Sequence, residues 1–303
     1  MKKINSPMLV GKFVDALRCP LCESDLRVVD MNSLVCRKKH TFDFAKQGYL
    51  NLLTRPSSTT QYNKELFEAR HNIITESNLY SPLHEAIARV IKKHFVVFRH
   101  PFLIGDLGCG EGTHLRKIID ECHHSTLNGV GLDLAKDGIR MAAKRYGQGI
   151  WLVGDLAKSP FKDQSLHVIL NILSPSNYKE FMRTLAQDGL VIKVVPGSNY
   201  LKELREVLFH HPEKKTYQND KTVSLFKKHF VLLDEIHLTY TKKLQQEELG
   251  QLVKMTPLAW SGDQRTIDRY IHQDSAVITV DLELLVGRNP REVEADNHGK
   301  GMH

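Results

Sequence analysis

The chain has no apolar run long enough to cross a bilayer. Stretches such as LVIKVV near 190–195 fall far short of the roughly 20 residues that a spanning helix needs, which argues against a helical membrane protein. The N-terminal MKKINSPMLVGKFVDAL is basic and weakly apolar. It lacks a continuous apolar core and a small-residue cleavage site, so no secretory signal is read there. Cysteine is scarce and odd in number, five in 303 residues, and two of the five form a C-x-x-C. That count argues against a disulfide framework and for metal binding in a reducing, cytoplasmic compartment. No internal repeat is present, which excludes solenoids and propellers. What the chain does contain is ordinary for a globular protein, 41% hydrophobic and 25% charged residues, with length enough for one full core and a second small module. The formal charge of +7 favours a polyanionic partner such as a nucleic acid.

Four ligand-type residues stand together near the start. Cys19 and Cys22 frame CPLC, a polar hairpin-like stretch follows, and Cys36 and His40 frame CRKKH. Two pairs of soft ligands separated by a short ribbon describe a closed Cys₃His zinc site. So short a segment cannot build a stable core alone, and metal coordination would supply much of its folding free energy. A filled shell leaves no open position for substrate, so the zinc is structural. Arg37, Lys38 and Lys39 lie within the second ligand pair, followed by Phe42, Phe44 and Tyr49. This mixture suits RNA contact, phosphates on the cations and bases on the rings, although the phenylalanines also suit a small core. The expected organisation is an N-terminal extension over 1–17, a zinc-binding RNA-recognition module over 18–53 and a Pro/Ser/Thr-rich linker over 54–63. A catalytic α/β domain over 64–288 and a polar, disordered tail over 289–303 complete it.

The α/β domain is organised around LIGDLGCGEGTHL, residues 103–115. An apolar strand ends at Asp106, Gly108, Gly110 and Gly112 follow at alternate positions, and a helical pattern comes next. Strand, glycine turn and helix form the first turn of a doubly wound fold, where a nucleotide-like ligand meets the strand end and the helix N-terminus. The G-x-G-x-G spacing differs from the G-x-G-x-x-G of pyrophosphate binders and favours S-adenosylmethionine (SAM) over NAD. Further strands are expected over 127–133, 150–153, 166–173 and 189–195, apolar throughout as buried parallel strands are, with later strands over 231–241 and 276–286. Two helices precede the first strand. The second is expected to start at Ser81-Pro82, with the serine hydroxyl as its cap.

Two acids sit at successive strand ends. Asp133 is expected to accept from the ribose hydroxyls and Asp155 from the adenine amino group, since a carboxylate is an acceptor-only group that takes two donors. Asn171, Ser174 and Pro175 end the fourth strand, the expected grip on an acceptor base. Cys109 reads as packing and His167 as an ordinary strand residue.

Over roughly residues 18–260 the chain resembles the 23S rRNA (guanine-N1)-methyltransferases of the RlmA type. The likeness runs through CPLC, CRKKH, TFDFAKQGYLNLL, FEARHNIITESNLYSPL, DLGCGEG, GLDLAKDGIRMAAKRY, VVPGSNYLKEL and MTPLAW. The resemblance implies a Rossmann-like SAM-dependent methyltransferase fold with a mostly parallel seven-stranded sheet and an N-terminal zinc module. It also implies a 23S rRNA hairpin as substrate and assembly as a homodimer. Carried over by position, the zinc ligands are Cys19, Cys22, Cys36 and His40. The SAM contacts are Tyr80, then Thr113, His114 and Leu115 after the glycine loop, and Tyr200. The chain departs from the family's pattern at Thr113-His114, at Tyr200, where a histidine is common, and at Asn171 with SPS, where the family strand is more basic and carries a cysteine. From the residues alone, a small-molecule SAM methyltransferase or a zinc RNA-binding protein with a vestigial SAM pocket stays open. No carboxylate or histidine stands out as a general base.

Overall fold

In the computed structural model, residues 6–55, 62–95, 102–209 and 217–290 are described. Most of the expected linker and nearly all of the expected tail therefore lie outside the described residues. The chain opens with α1 (Ser6–Lys12), followed by β1 (Leu26–Val29), β2 (Ser33–Cys36) and β3 (Thr41–Asp43), which pair antiparallel as a small sheet. A two-residue strand, β4 (Leu50–Asn51), comes next. Helices α2 (Lys64–Thr75) and α3 (Ser81–His94) lead into the alternating region. There β5 (Phe102–Leu107), α4 (Thr113–Cys122), β6 (Leu127–Asp133), α5 (Lys136–Arg145) and β7 (Ile150–Val153) are followed by β8 (Leu166–Ile172) and α6 (Tyr178–Thr184). The remainder is β9 (Leu185–Pro196), α7 (Lys202–Leu208), α8 (Asp220–His229), β10 (Val231–Gln245), α9 (Gln246–Met255), α10 (Gln264–Ile271) and β11 (Ser275–Arg288).

The large sheet runs β10-β11-β9-β8-β5-β6-β7-β4. All pairs from β9 to β4 are parallel, and β11 enters antiparallel between β9 and β10. Strand order reverses between β5 and β8, so a crevice opens there at the carboxyl ends. Seven strands come from 102–288, as the resemblance implies, but an eighth is added. Leu50 and Asn51 pair with Leu152 and Val153 at the β7 edge, and Leu52 N–H donates to the Val153 carbonyl at 2.8 Å. A two-residue pairing has no period to reveal it in sequence; here it covers an edge of unpaired backbone groups.

The zinc module is therefore built into the sheet, and so is the segment before it. Val10, Phe13 and Leu17 are buried in the same apolar cluster as Leu103, Val130, Leu152 and Phe161. Arg18 N–H donates to the Pro160 carbonyl at 2.8 Å, and Lys162 N–H to the Ala16 carbonyl at 2.9 Å. Residues 6–17, read from sequence as an extension, thus pack as part of the body, each buried apolar side chain contributing about 1.5–3 kcal/mol. A helix start also differs from expectation. Tyr80 occupies the cap position of α3 with no side-chain capping bond, while Pro82 stands in the first turn. The Ser81 hydroxyl is not the cap. Among the described residues no helix is long and apolar enough to cross a membrane.

Candidate active site and metal centre

The metal centre is formed by two turns that face each other. Glu23, just after the first ligand pair, and Lys39, inside the second, adopt left-handed backbone (φ 61° and 65°) and turn the chain. The turns close through Glu23 N–H to the Cys19 carbonyl at 2.8 Å and Lys39 N–H to the Cys36 carbonyl at 2.9 Å. Cys19, Cys22, Cys36 and His40 then converge, all ligand atoms within 4.8 Å of one another. His40 Nδ1 lies 3.4 Å from both Cys19 Sγ and Cys36 Sγ, and Cys22 Sγ lies 3.7 Å from Cys36 Sγ. A tetrahedral zinc with ordinary bond lengths has S–S edges of roughly 3.7 Å and S–N edges of roughly 3.5 Å, so this donor set fits the ion. His40 N–H and the Ser24 hydroxyl lie within bonding range of Cys36 Sγ and Cys22 Sγ, at 3.3 and 3.2 Å, and steady those sulfurs from outside. Phe42 and Phe44 pack against the core, while Arg37, Lys38 and Lys39 are exposed.

The glycine loop leaves β5 at Leu107. Gly108, Gly110 and Gly112 have φ of 93°, 57° and 76°. A side chain at Gly108 would collide with Ser174 Oγ, and one at Gly112 with the Trp151 ring, so the protein's own packing as well as the backbone demands glycine. Gly110 N–H donates to Asp133 Oδ2 at 2.7 Å and Ala135 N–H to Asp133 Oδ1 at 2.8 Å. Asp133 therefore orients the loop, with lone pairs left for further donors. Asp155 is exposed at the end of β7, and its Oδ1 accepts from Ala157 N–H at 2.8 Å.

Behind the loop lies a buried charge cluster. Asp106 and Glu111 are 1% and 0% exposed, and Asp106 Oδ1 and both Glu111 carboxylate oxygens lack hydrogen-bond partners among the described residues. Arg70 Nε approaches Glu111 Oε2 to 3.5 Å, an ion pair without hydrogen-bond geometry. Burial pushes the Asp106 carboxyl up to about 7; Arg70 pulls against this, and Asp133 and Glu111 add to it. An unpartnered buried carboxylate beside a glycine cradle is what an amino-acid ammonium requires, so the residues fit SAM.

A cavity of about 590 Å³ opens at the ends of β8 and β9, a size suited to a nucleotide-like ligand. Of the residues singled out from sequence, Tyr80, His114, Ser174, Pro175 and Tyr200 line it. Asp106, Gly108, Gly110, Gly112, Thr113, Leu115, Asp133, Asp155 and Asn171 do not; they form the loop, the neighbouring strand ends and the wall behind. The Tyr80 and Tyr200 hydroxyls are 2.6 Å apart, and the Tyr240 hydroxyl donates to the Leu79 carbonyl at 2.6 Å, fixing the break before α3. His114 Nδ1 meets His84 Nε2 at 2.8 Å. Burial holds both imidazoles down, His84 to about 3, so the pair is neutral. Thr113 turns away, its hydroxyl bonded to His71 Nδ1 and the Tyr146 hydroxyl, each at 3.1 Å.

Among the cavity residues that the sequence reading did not single out, Arg70 and Lys193 bear on the chemistry. Arg70 gave no signal, one basic residue among several in α2. Lys193 gave a clear one, a lysine inside the buried run LVIKVV. Its Nζ donates to Asn171 Oδ1 at 2.6 Å and to the Ser174 carbonyl. Burial holds its ammonium pKa down, to about 8.

Comparison with known proteins follows this division. Residues 17–56 match the family described as "RlmA, N-terminal", and residues 104–189 match the methyltransferase domain family. The Bacillus subtilis protein YxjB, named for 23S rRNA (guanine-N1)-methyltransferase activity, is 43% identical over 273 residues, 89% of this chain and 96% of that protein. The 23S rRNA (guanine(748)-N1)-methyltransferase of Streptomyces fradiae is 30% identical over 269 residues, 88% of this chain and 94% of that protein.

Proposed function

Since the chain belongs to the 23S rRNA (guanine-N1)-methyltransferase family, we propose that it transfers a methyl group from SAM to N1 of one guanine in a 23S rRNA hairpin. Its cofactors are SAM and zinc. The observation that carries the reading is the joining of a Cys₃His centre, by β4 and a shared core, to a sheet whose glycine loop faces the crevice.

SAM, when bound, supplies an electrophilic methyl group on a sulfonium. The protein's task is alignment, which can remove several kcal/mol of the barrier. Asp106 would take the amino-acid ammonium through its unpartnered oxygen, and Arg70, facing the cavity, the carboxylate. Asp133 would accept the ribose hydroxyls on its remaining lone pairs, and Asp155 the adenine amino group. Tyr80, His114 and Tyr200 would wall the methyl-donor end, with Thr113 and Leu115 packed behind. Ser174 and Pro175, whose carbonyls are held by Lys193 and Asn171, would face the acceptor.

Guanine N1 lies on the pairing edge, so the base must be unpaired or flipped to enter the cavity. Exposed Arg37, Lys38 and Lys39 would hold the flanking phosphates, while Cys19, Cys22, Cys36 and His40 keep that surface rigid through zinc. A cytoplasmic location and assembly as a homodimer belong to the same proposal; sedimentation tests the second. Incubating the protein with labelled SAM and a 23S hairpin, followed by primer extension, tests the activity. N1-methylguanine stops reverse transcription, so a stop at the guanine equivalent to 748 or its neighbour is expected. Absence of any stop, with SAM binding demonstrated, refutes the assignment.

A further inference from the structure

Attack by guanine N1 requires loss of the proton that N1 carries at neutral pH. Resting on the methyltransferase reading, we propose that Lys193, as its neutral amine, is the catalytic residue that accepts that proton. The N1–H bond breaks with the proton passing to Lys193 Nζ. The N1 electron pair forms the bond to the methyl carbon as the carbon–sulfur bond breaks and its pair stays on sulfur. The products are N1-methylguanine, S-adenosylhomocysteine and a lysine ammonium, which releases its proton to solvent.

The geometry carries this. Lys193 is 4% exposed near the carboxyl end of β9 and lines the cavity beside Ser174, Pro175 and Ser176. Its two direct partners are neutral acceptors, Asn171 Oδ1 and the Ser174 carbonyl. The sense of the Asn171 amide is fixed, because its Nδ2 donates to the Leu107 and Pro175 carbonyls at 2.6 and 3.0 Å while Oδ1 also accepts from the Ser176 hydroxyl at 2.8 Å. A neutral amine has two N–H groups and one lone pair. Two fixed acceptors take the two N–H groups, which leaves the lone pair uncommitted on a residue that lines the cavity. An ammonium would have to leave its third N–H without an acceptor among the described residues.

The charges around Lys193 favour the neutral form. No Asp or Glu is among the described cavity-lining residues. The other ionisable groups there are Arg70, Lys221, the neutral His114 and the tyrosines 62, 80, 178, 200 and 217. From β8 the facing group is Asn171, and the register partner on β11 is Leu285. Glu283, the nearest acid in that register, pairs with Val195 and is bonded to Asn219 Nδ2 at 2.7 Å. Burial without a counter-ion is what holds the ammonium pKa to about 8, where an amine is a competent base near neutral pH.

Single-turnover methylation of the hairpin from pH 6 to 9.5 tests this with the full-length protein and with Lys193→Met and Lys193→Arg, SAM affinity being measured by calorimetry. The parent rate is expected to rise with pH through a midpoint near 8. Both variants should be slower by roughly a hundredfold or more at pH 7.5 with SAM affinity nearly unchanged, since a positioned base is worth about 10²–10⁴. The rate of Lys193→Met should go on climbing past pH 8 as N1 ionises unaided. A variant rate within about threefold of the parent overturns the inference. So does rescue by arginine, which would make the role electrostatic. A melting temperature near the parent's shows that Lys193→Met is folded; if it is not, Lys193→Arg and the parent's pH midpoint decide. A parent that binds SAM but leaves the hairpin unmethylated refutes the functional reading and this inference together, whereas an active parent with unaffected variants refutes only the role of Lys193.

Discussion

Replacing Asp106 with asparagine should relieve a pH-dependent destabilisation of the ligand-free protein and weaken SAM binding. The carboxyl is 1% exposed, one of its oxygens has no partner, and burial raises its pKa from 3.8 to about 7. The unfolded chain releases this proton near 3.8, the folded chain only near 7. Between those values the folded protein holds more protons, so stability falls as pH rises through that window and is lowest above it. A difference of about three pH units corresponds to roughly 4 kcal/mol lost by pH 8. Much of that is absent at acidic pH, and the cost grows by roughly 2 kcal/mol between pH 5.5 and pH 8. Asparagine cannot ionise, so it escapes this pH-dependent part, whatever its own amide costs. The melting temperature of Asp106→Asn relative to the parent should therefore climb by roughly 3 °C between the two pH values. Differential scanning fluorimetry without ligand reads this directly. In calorimetry the variant should lose roughly ten- to a hundredfold in SAM affinity, the worth of one hydrogen bond to a charged group. A stability difference that stays constant with pH, or an unchanged affinity, would refute the account of Asp106 as a strained acid awaiting an ammonium.

The metal centre predicts about one zinc per chain by mass spectrometry, and Cys36→Ser should lose it. That loss should also lower the melting temperature of the whole protein, because β4 and the residues around Leu17 share the sheet and its core; an unaffected melting temperature would contradict the shared core. Reversing Arg37, Lys38 and Lys39 to glutamate should weaken hairpin binding and reduce the slope of log affinity against log salt by about 2 to 3, with SAM affinity unchanged. Gly108→Ala should cost about 2–4 kcal/mol, combining left-handed backbone (φ 93°) with a collision at Ser174. Gly147→Ala, where nothing lies within 4 Å, should be neutral within about 0.5 kcal/mol by denaturant titration. Equal effects at the two glycines would remove the packing argument.

Much of the site was legible as local pattern. The spacing of Cys19, Cys22, Cys36 and His40 is a property of two turns, and the structure closes those turns into one cluster. The glycines announce positive φ, and each of the three adopts it. Less legible was the division of labour among the strand-end acids. Asp133 is expected from sequence to accept from a ligand, and in the fold its two oxygens also orient the loop and the start of α5. Asp155 caps the turn that follows it. The serine-proline signal marks a helix start without saying which residue turns the chain, and the cap falls on Tyr80, one residue before Ser81.

The sequence by itself determined the alternation of buried strands and amphipathic helices, the glycine turn and the zinc ligands. These rest on periodicity, backbone strain and ligand spacing, all of which act over a few residues. Only the tertiary structure decided that α1 and β4 belong to the body and that Asn171, Ser174 and Lys193, up to 22 residues apart, share one buried network. Such pairings follow from which apolar surfaces meet when the sheet closes. A lysine within LVIKVV announces an anomaly locally, but its partners and the protonation state they favour exist only once β8 and β9 lie side by side.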